Sequence, residues 1–198
     1  KEKEITAYHE AGHALAASVL EHADPVHKVS IISRGRAAGY TLKLPIEDRK
    51  LQSRREFLDD IAVSLGGFVA EKMLFDDLTT GSSNDLSVAT SLARNMVTRY
   101  GMSEKIGPIA LEESAGLSPF GGGDVWREYS EKVGAVVDGE VARIMSEAEA
   151  RATTILKTHR KLLDAIALRL IEVETLERDG FEKLLVAHGI VPKQKQEL

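Results

Sequence analysis

The sequence predicts a mainly helical protein with a small β-sheet, an α+β fold. Apolar residues recur with the spacing of a helix face along most of the 198 residues. Two short β-branched runs, VHKVSII and YTLKLP, alternate apolar and polar residues as strands do. Hydrophobic residues make up 43% of the chain, which is enough to bury a core at this length.

The first predicted elements are a helix over residues 3–20 and two strands over residues 26–32 and 40–45. The helix is amphipathic and rich in alanine, which has the highest helix propensity. Gly12 inside it costs up to about 1 kcal/mol relative to alanine, which predicts close packing there. The turn-rich GRAAG lies between the strands, so we expect a hairpin or a pair of strands in one small sheet.

Helical segments dominate the rest of the chain. Residues 53–75 have helical spacing interrupted by Gly66 and Gly67, where missing side chains predict a kink or close packing against a neighbour. The stretch TTGSSND is dense in capping residues and opens a helix to about Tyr100, with Gly101 as its stop. PIALEE is a candidate short strand. Further helices are expected over residues 126–157, 160–172 and 181–187.

The linker-like stretch SAGLSPFGGGD, residues 114–124, separates two regions of the chain. We expect residues 1–113 to hold the sheet and the chemistry of the protein. Residues 125–198 are expected to form a helical C-terminal region of the same domain.

Composition and charge exclude several classes of function. The 26 basic and 31 acidic residues give a net charge of −5 and form no long basic run, so nucleic acid is not an expected partner. The chain has no cysteine, so any metal must be held by His, Asp or Glu. No run of 18 apolar residues could span a bilayer, and KEKEITAY has no signal-peptide core, so the chain as given is expected to be soluble.

The chemistry is concentrated in AYHEAGHALA, residues 7–16, within the first helix. His9 and His13 are four residues apart, so both imidazoles lie on one helix face and can reach a single ion. In a His-Glu-x-x-His helix the histidines bind zinc, and the glutamate, here Glu10, is the general base that takes a proton from activated water. The motif predicts hydrolysis of peptide bonds. The alternative is a chance match, with both histidines solvated or hydrogen-bonded.

A catalytic zinc site needs a third protein ligand, which spacing alone does not identify. Glu71, in GGFVAEKM, lies on a helix downstream of the motif, as the third ligand does in many proteases with this motif. Asp85, in SSND, lies at a helix start. The alternative for Asp85 is a carboxylate stabilised by the helix macrodipole. For Glu71 the sequence alone favours an exposed helix charge.

Three segments, AYHEAGHALA, DPVHKVSIISRGRAAGYTLKLP and TTGSSNDLSVATSLARNMV, together resemble the protease domain of the FtsH family of membrane-anchored, ATP-dependent zinc proteases. EVARIMSEAEARATTIL and LLDAIALRLIEVETL are also similar, so the resemblance covers most of the chain. It implies one zinc ion per chain with Asp85 as the third ligand, and Glu71 as at most a supporting residue. The family commonly has arginine where this chain has Phe68, which affects a charge pairing and not the metal ligands.

The resemblance also implies features beyond this chain. An ATPase module and a membrane anchor are expected upstream of Lys1, with assembly into a hexamer that degrades unfolded or membrane proteins. The protease domain is expected to face the cytoplasm or an organelle matrix. The phosphate loop G-x-x-x-x-G-K-[ST] is absent from the sequence, so no ATP site is expected in it.

The second strand is a candidate substrate site. An extended peptide can pair with the open edge of a sheet through backbone groups, which suits a protease of low sequence specificity. The residues concerned are Tyr40, Thr41, Leu42, Lys43 and Leu44. The alternative is an internal hairpin strand that pairs only with residues 26–32, because sequence does not reveal which strand is the edge.

Two other functions compete with the zinc endopeptidase. One is a helical assembly or interaction domain that keeps a metal for structure, and the other is a zinc hydrolase whose third ligand is Glu71. Coordination distinguishes the first, because a structural zinc has four protein ligands and a catalytic zinc has three with an open position.

Overall fold

The computed structural model describes residues 1–33, 38–45, 51–111 and 129–193. The predicted fold class, mainly α with a small sheet, is confirmed. The described helices are α1 (Glu2–Val19), α2 (Arg54–Ser64), α3 (Gly66–Phe75), α4 (Ser83–Thr98), α5 (Glu131–Thr158), α6 (Arg160–Val173) and α7 (Arg178–Ala187). The described strands are β1 (Val26–Ser30), β2 (Tyr40–Lys43) and β3 (Thr175–Glu177).

Local sequence accounts for the ends of several helices. Ser53 and Glu56 form a capping box at the start of α2, in which each side chain accepts a hydrogen bond from the backbone of the other. A 3₁₀ turn over Thr80–Ser82 precedes α4. Gly101 follows that helix with a φ of +61°, a conformation that favours glycine, so its predicted role as a stop is confirmed.

The three strands form an antiparallel sheet in the order β2-β1-β3. Val29 in the central strand pairs with Thr41 of β2 on one side and Leu176 of β3 on the other. Within the described residues β2 therefore pairs only with β1 and lies at an edge. The predicted hairpin pairing of β1 with β2 is present, and β3 is an element that the sequence analysis did not predict.

Two other expectations concern the middle of the chain. The prediction of a short strand in PIALEE is wrong for residues 108–111, which form no strand. Residues 112–113 lie outside the described residues. The linker-like residues 114–124 also lie outside the described residues. No helix among the described residues has the length and apolar character needed to cross a membrane.

Helix α1 is the centre of the core. It contacts α2, α3, α5, α6 and the first two strands, and every residue from His9 to Ala17 is buried. A helix buried on all sides needs small side chains, because neighbouring backbones must approach closely, and four alanines lie within those nine residues. The histidine motif is thus built into the most enclosed element of the described structure.

The backbones of α1 and α3 are in direct contact at Gly12 and Gly66. A Cβ atom on Gly12 would overlap the Gly66 carbonyl oxygen, and one on Gly66 would lie 2.6 Å from the carbonyl oxygen of Gly12. The next residue, Gly67, lies against the His9 ring, where a Cβ atom would be 2.5 Å from the imidazole. The close packing predicted at all three glycines is confirmed.

We predict that Gly12→Ala lowers the free energy of unfolding by about 1–3 kcal/mol or more, because the added methyl group forces α1 and α3 apart. The matched control is Gly139→Ala in α5, where an added Cβ meets nothing within 4 Å and should stabilise the protein by roughly 0.5–1 kcal/mol. Urea unfolding of both variants measures the difference. Equal effects of the two substitutions would contradict the packing argument.

Candidate metal centre

Three ligand atoms from two helices converge in one place. The Nε2 atoms of His9 and His13 are 3.0 Å apart, and Oδ2 of Asp85 lies 3.1 Å from the first and 3.3 Å from the second. With zinc–nitrogen bonds of about 2.0–2.1 Å, neighbouring ligand atoms of a tetrahedral zinc ion are about 3.3 Å apart. The triangle therefore has the size that zinc requires.

The histidines are held by hydrogen bonds at their other ring nitrogens. Nδ1 of His9 is 2.7 Å from Oε1 of Glu71, and Nδ1 of His13 is 2.8 Å from the carbonyl oxygen of Val63. Both partners are acceptors, so each Nδ1 carries the proton and donates it. In the neutral rings both Nε2 atoms then bear lone pairs, which is the tautomer that binds a metal.

The converging atoms cannot satisfy one another. Two Nε2 lone pairs and a carboxylate oxygen face each other within 3.3 Å, and none of the three supplies a proton when the histidines are neutral. Such a cluster of acceptors repels itself unless a cation lies among them. The donor set, two imidazoles and one carboxylate, suits zinc, and no cysteine competes for it.

The pKa values of two of these groups show the same demand for positive charge. Burial opposes protonation of His9, but the hydrogen bond to Asp85, the charge of Glu10 and the bond to Glu71 outweigh it and raise its pKa above the ordinary 6.5. Partial burial would raise the pKa of Asp85, yet its bonds to His13 and His9 hold it well below the usual range. Asp85 is therefore an anion throughout the physiological range.

Asp85 reaches the histidines from the first turn of α4. The 3₁₀ turn before that helix begins after Thr79, whose hydroxyl accepts a hydrogen bond from the backbone N–H of Gly81. Asp85 is thus both a carboxylate at a helix start and a candidate metal ligand, so the two interpretations do not exclude each other. The macrodipole favours its charge while the side chain points to the histidines.

Glu71 is not the exposed helix charge that the sequence alone favoured. Its side chain is 1% exposed on α3, and its two oxygens accept hydrogen bonds from His9 and from the backbone N–H of Thr79, the latter at 2.9 Å. The expectation failed because its contacts are brought by tertiary packing from α1 and from the loop before α4. Glu71 therefore ties the orientation of His9 to the segment that carries Asp85.

Glu10, the expected general base, is also buried and held in place. Its Oε2 accepts a hydrogen bond of 2.7 Å from the hydroxyl of Thr41 in β2. Gly39, just before that strand, lies so close that a Cβ atom there would be 2.9 Å from Oε1 of Glu10. Sequence reasoning missed this contact, because the two residues are 31 positions apart and meet only when β2 packs on α1.

The candidate substrate strand is placed beside this glutamate. Residues Tyr40 to Lys43 form β2, and Leu44 follows it with its N–H bonded to the carbonyl oxygen of Pro25 at 3.2 Å. The predicted strand over residues 40–45 is therefore shorter than expected. Leu42 and Leu44 are exposed.

Phe68, on α3, stands where the resembled family commonly has arginine. The Nζ atom of Lys72 lies 5.9 Å from the centroid of the Phe68 ring. The same Nζ atom forms a salt bridge of 2.9 Å with Oε1 of Glu149. The side chain packs against the core as a partly buried apolar residue. With phenylalanine at this position, His9, His13 and Asp85 still converge.

The general base of a zinc peptidase stands one residue after the first histidine of the motif helix, and Glu10 occupies that position in a buried helix. Within the described ranges His9, His13 and Asp85 form a group that could hold a metal ion, and no fourth His, Cys, Asp or Glu belongs to it. A catalytic zinc keeps three protein ligands, whereas a structural zinc takes four. The fold and the site together define the class of zinc metalloproteases.

Comparison with known proteins then identifies the family. Residues 1–184 match the sequence model of peptidase family M41, and the chain belongs to that family. Peptidases act on polypeptides, so the substrate class follows from membership, and zinc is the cofactor named for the relatives described next.

The chain is similar to proteins named ATP-dependent zinc metalloprotease FtsH. It is 46% identical over 192 residues to that of Rubrobacter xylanophilus, which covers 96% of this chain and 29% of the relative. It is 45% identical over 196 residues to that of Bacillus subtilis, covering 98% of this chain and 31% of the relative. The chain therefore spans about a third of the length of the curated relatives it matches.

We predict that Glu71→Gln lowers zinc affinity roughly 10- to 100-fold, the usual effect of losing a hydrogen-bond partner of a ligand. Glutamine has one acceptor oxygen, so it cannot serve both His9 and the Thr79 N–H. Competition with a chromophoric chelator measures the affinity. Glu149→Gln, which alters a partly exposed ion pair on α5, is the control. Wild-type affinity in Glu71→Gln would contradict the role given to this hydrogen bond.

We predict that the rise in Tm produced by zinc increases between pH 5.5 and pH 8. Without metal, the raised pKa of His9 contributes stability that is fully present below about 6.5 and is lost as the pH rises through the folded value. Zinc requires neutral imidazoles, so protons compete with it at low pH and its stabilisation grows as they leave. Differential scanning calorimetry with and without zinc measures the difference. A difference that stays constant across this range would contradict the prediction.

Proposed function

We propose that this chain is the peptide-hydrolysing domain of an ATP-driven protease, in which His9, His13 and Asp85 bind zinc and Glu10 is the general base. The observation that carries the proposal is the convergence of two imidazole nitrogens and one carboxylate oxygen within 3.3 Å of one another. Their neighbours fix both histidine tautomers for metal binding, and Glu10 adjoins the first ligand in the chain.

The assignment of Asp85 as third ligand is favoured over Glu71 by the direction from which each carboxylate approaches. Glu71 contacts His9 at Nδ1, on the side of the ring away from His13, and both its oxygens already accept hydrogen bonds. Asp85 contacts the Nε2 atoms of both histidines through one oxygen. Glu71 is accordingly given the supporting role.

Each residue then has a defined task in hydrolysis. Zinc, when bound, supplies a Lewis acid that polarises a carbonyl group and makes water more acidic. Glu10 accepts a proton from the attacking water and returns it to the leaving amine, so that the peptide bond breaks into a carboxylic acid and an amine. Its burial keeps bulk water away from the carboxylate, which strengthens its electrostatic interactions.

The edge strand β2 is the proposed place for an extended substrate. It pairs with β1 along one side only in the described part of the chain, and Thr41 in this strand contacts Glu10. A peptide that paired with Tyr40 to Leu44 would lie next to the general base and be recognised through its backbone. A peptide-bound structure without such pairing would exclude this part of the proposal.

The regions expected from the sequence are proposed as one protease domain, with residues 1–113 and 125–198 on either side of the stretch 114–124. In support, α5 packs on α2, α3 and α4, and α6 packs on α1. The relatives are named ATP-dependent. We therefore propose that the whole protein also contains an ATPase, a membrane anchor and a hexameric arrangement, and that it degrades unfolded or membrane-derived proteins on the cytoplasmic or matrix side.

The experiment that tests the proposal combines the zinc content of crystals with turnover. An anomalous difference map across the zinc edge is expected to show one peak bonded to His9, His13 and Asp85, and the loaded chain is expected to cleave a short fluorogenic peptide. A peak elsewhere, or no peak after reconstitution, would overturn the ligand assignment. A correct peak without any cleavage would favour a domain that keeps its metal for structure.

Variants separate the roles of metal ligand and base. We predict that Glu10→Gln keeps zinc but lowers kcat by about 10²- to 10⁴-fold, because it removes the proton acceptor. Asp85→Ala is expected to lose both zinc and activity. Peptide cleavage and metal content by mass spectrometry measure the two effects. Zinc retention in Asp85→Ala together with zinc loss in Glu71→Ala would reverse the assignment of the third ligand.

A further inference from the structure

The contact between Thr41 and Glu10 joins two parts of the site that the motif alone does not connect. The Thr41 hydroxyl lies 2.7 Å from Oε2 of Glu10 and 3.4 Å from the backbone oxygen of the same residue. A hydroxyl has one proton to donate, and the shorter contact to a charged acceptor is the stronger. The carboxylate of Glu10 therefore accepts the hydrogen bond from the Thr41 hydroxyl.

The two oxygens of Glu10 have different surroundings. Oε2 accepts the Thr41 hydrogen bond, whereas Oε1 accepts none from the described part of the chain. Gly39 lies beside the other oxygen, where a Cβ atom would come within 2.9 Å of Oε1 and Cγ, so glycine leaves the space that the carboxylate occupies. Residues 39–41 thus restrict the carboxylate and leave one oxygen for chemistry.

We infer that Thr41 is a positioning residue, whose hydroxyl holds Oε2 of Glu10 so that Oε1 is presented as the proton acceptor. A glutamate side chain has three rotatable bonds, and a hydrogen bond at one oxygen removes conformations in which the other points away from the reacting water. The inference rests on the proposed function, since it assigns the general base to Glu10. It adds a second role to β2, the proposed substrate strand.

The arrangement also links substrate binding to the base. Thr41 pairs with Val29 through the backbone on one side of β2, while its side chain reaches α1. A peptide that adds to the free edge of this strand would contact the backbone of the residue that orients Glu10. Substrate binding and alignment of the base thus both involve Thr41.

The test compares Thr41→Val, which keeps the shape without the hydroxyl, with Thr41→Ser, which keeps the hydroxyl. We expect Thr41→Val to lower kcat for a fluorogenic peptide by roughly 10- to 100-fold, with KM changed less than about twofold. Thr41→Ser should regain most of kcat. Thr154→Val, which removes an exposed hydroxyl bonded to the Ala150 carbonyl in α5, is the control and should leave kcat unchanged.

A readout independent of turnover is the position of Glu10 in crystals. In zinc-loaded Thr41→Val we expect the Glu10 carboxylate in more than one rotamer, with His9 and His13 unmoved and zinc affinity unaltered. If valine prevents folding, Thr41→Ala is the second hydroxyl-free variant. Equal kcat in the valine and serine variants, a change in KM alone, or a single wild-type rotamer of Glu10 in the valine variant would overturn the inference.

The outcomes keep this inference apart from the proposed function. If the wild-type chain with zinc cleaves no peptide, or Glu10→Gln cleaves as well as wild type, the proposed function fails. If wild type cleaves, Glu10→Gln does not, and Thr41→Val behaves as wild type, only the role of Thr41 fails. The crystallographic comparison of Glu10 decides the positioning in either case.

Discussion

The contact between the backbones of α1 and α3 is the constraint on which the site depends. Gly12 and Gly66 allow two helices to meet without intervening side chains. This closeness brings Gly67 against the His9 ring and Glu71 to the other side of the same imidazole. A single apolar side chain at either glycine would widen the gap and move Glu71 away from His9, the proposed ligand. Packing and chemistry are therefore decided by the same residues.

The electrostatics of the site follow from bringing a carboxylate to two oriented imidazoles. Val63 and Glu71 each accept a hydrogen bond from a histidine Nδ1–H, which leaves both Nε2 atoms as acceptors beside Asp85. The carboxylates of Asp85, Glu10 and Glu71 raise the pKa of His9, because they favour positive charge at this place. The unfavourable interactions among these three atoms would be relieved by a bound cation.

The features that could be predicted from the sequence are those that depend on the spacing of residues within one helix or strand. His9, Glu10 and His13 lie on consecutive turns of one helix, so their common face follows from helix geometry alone. The low helix propensity of glycine made close packing at Gly12 predictable. The burial of Glu71 could not be foreseen, because its partners come from segments distant in the chain. The available signal was its position directly after the apolar run FVA in GGFVAEKM. Strand β3 was not predicted, because three residues are too few to show the alternation of apolar and polar side chains that indicates a strand.

The all-round burial of α1 has a consequence for how metal is acquired. In small zinc domains the ligands come together only when the metal binds, so folding and loading are one event. Here His9 and His13 sit on a helix that is enclosed by the core, and it cannot unwind without exposing that core to water. We therefore expect packing of the core to hold the three candidate ligand atoms together before a metal binds. Activity should then depend on zinc, while the fold should persist when zinc is removed.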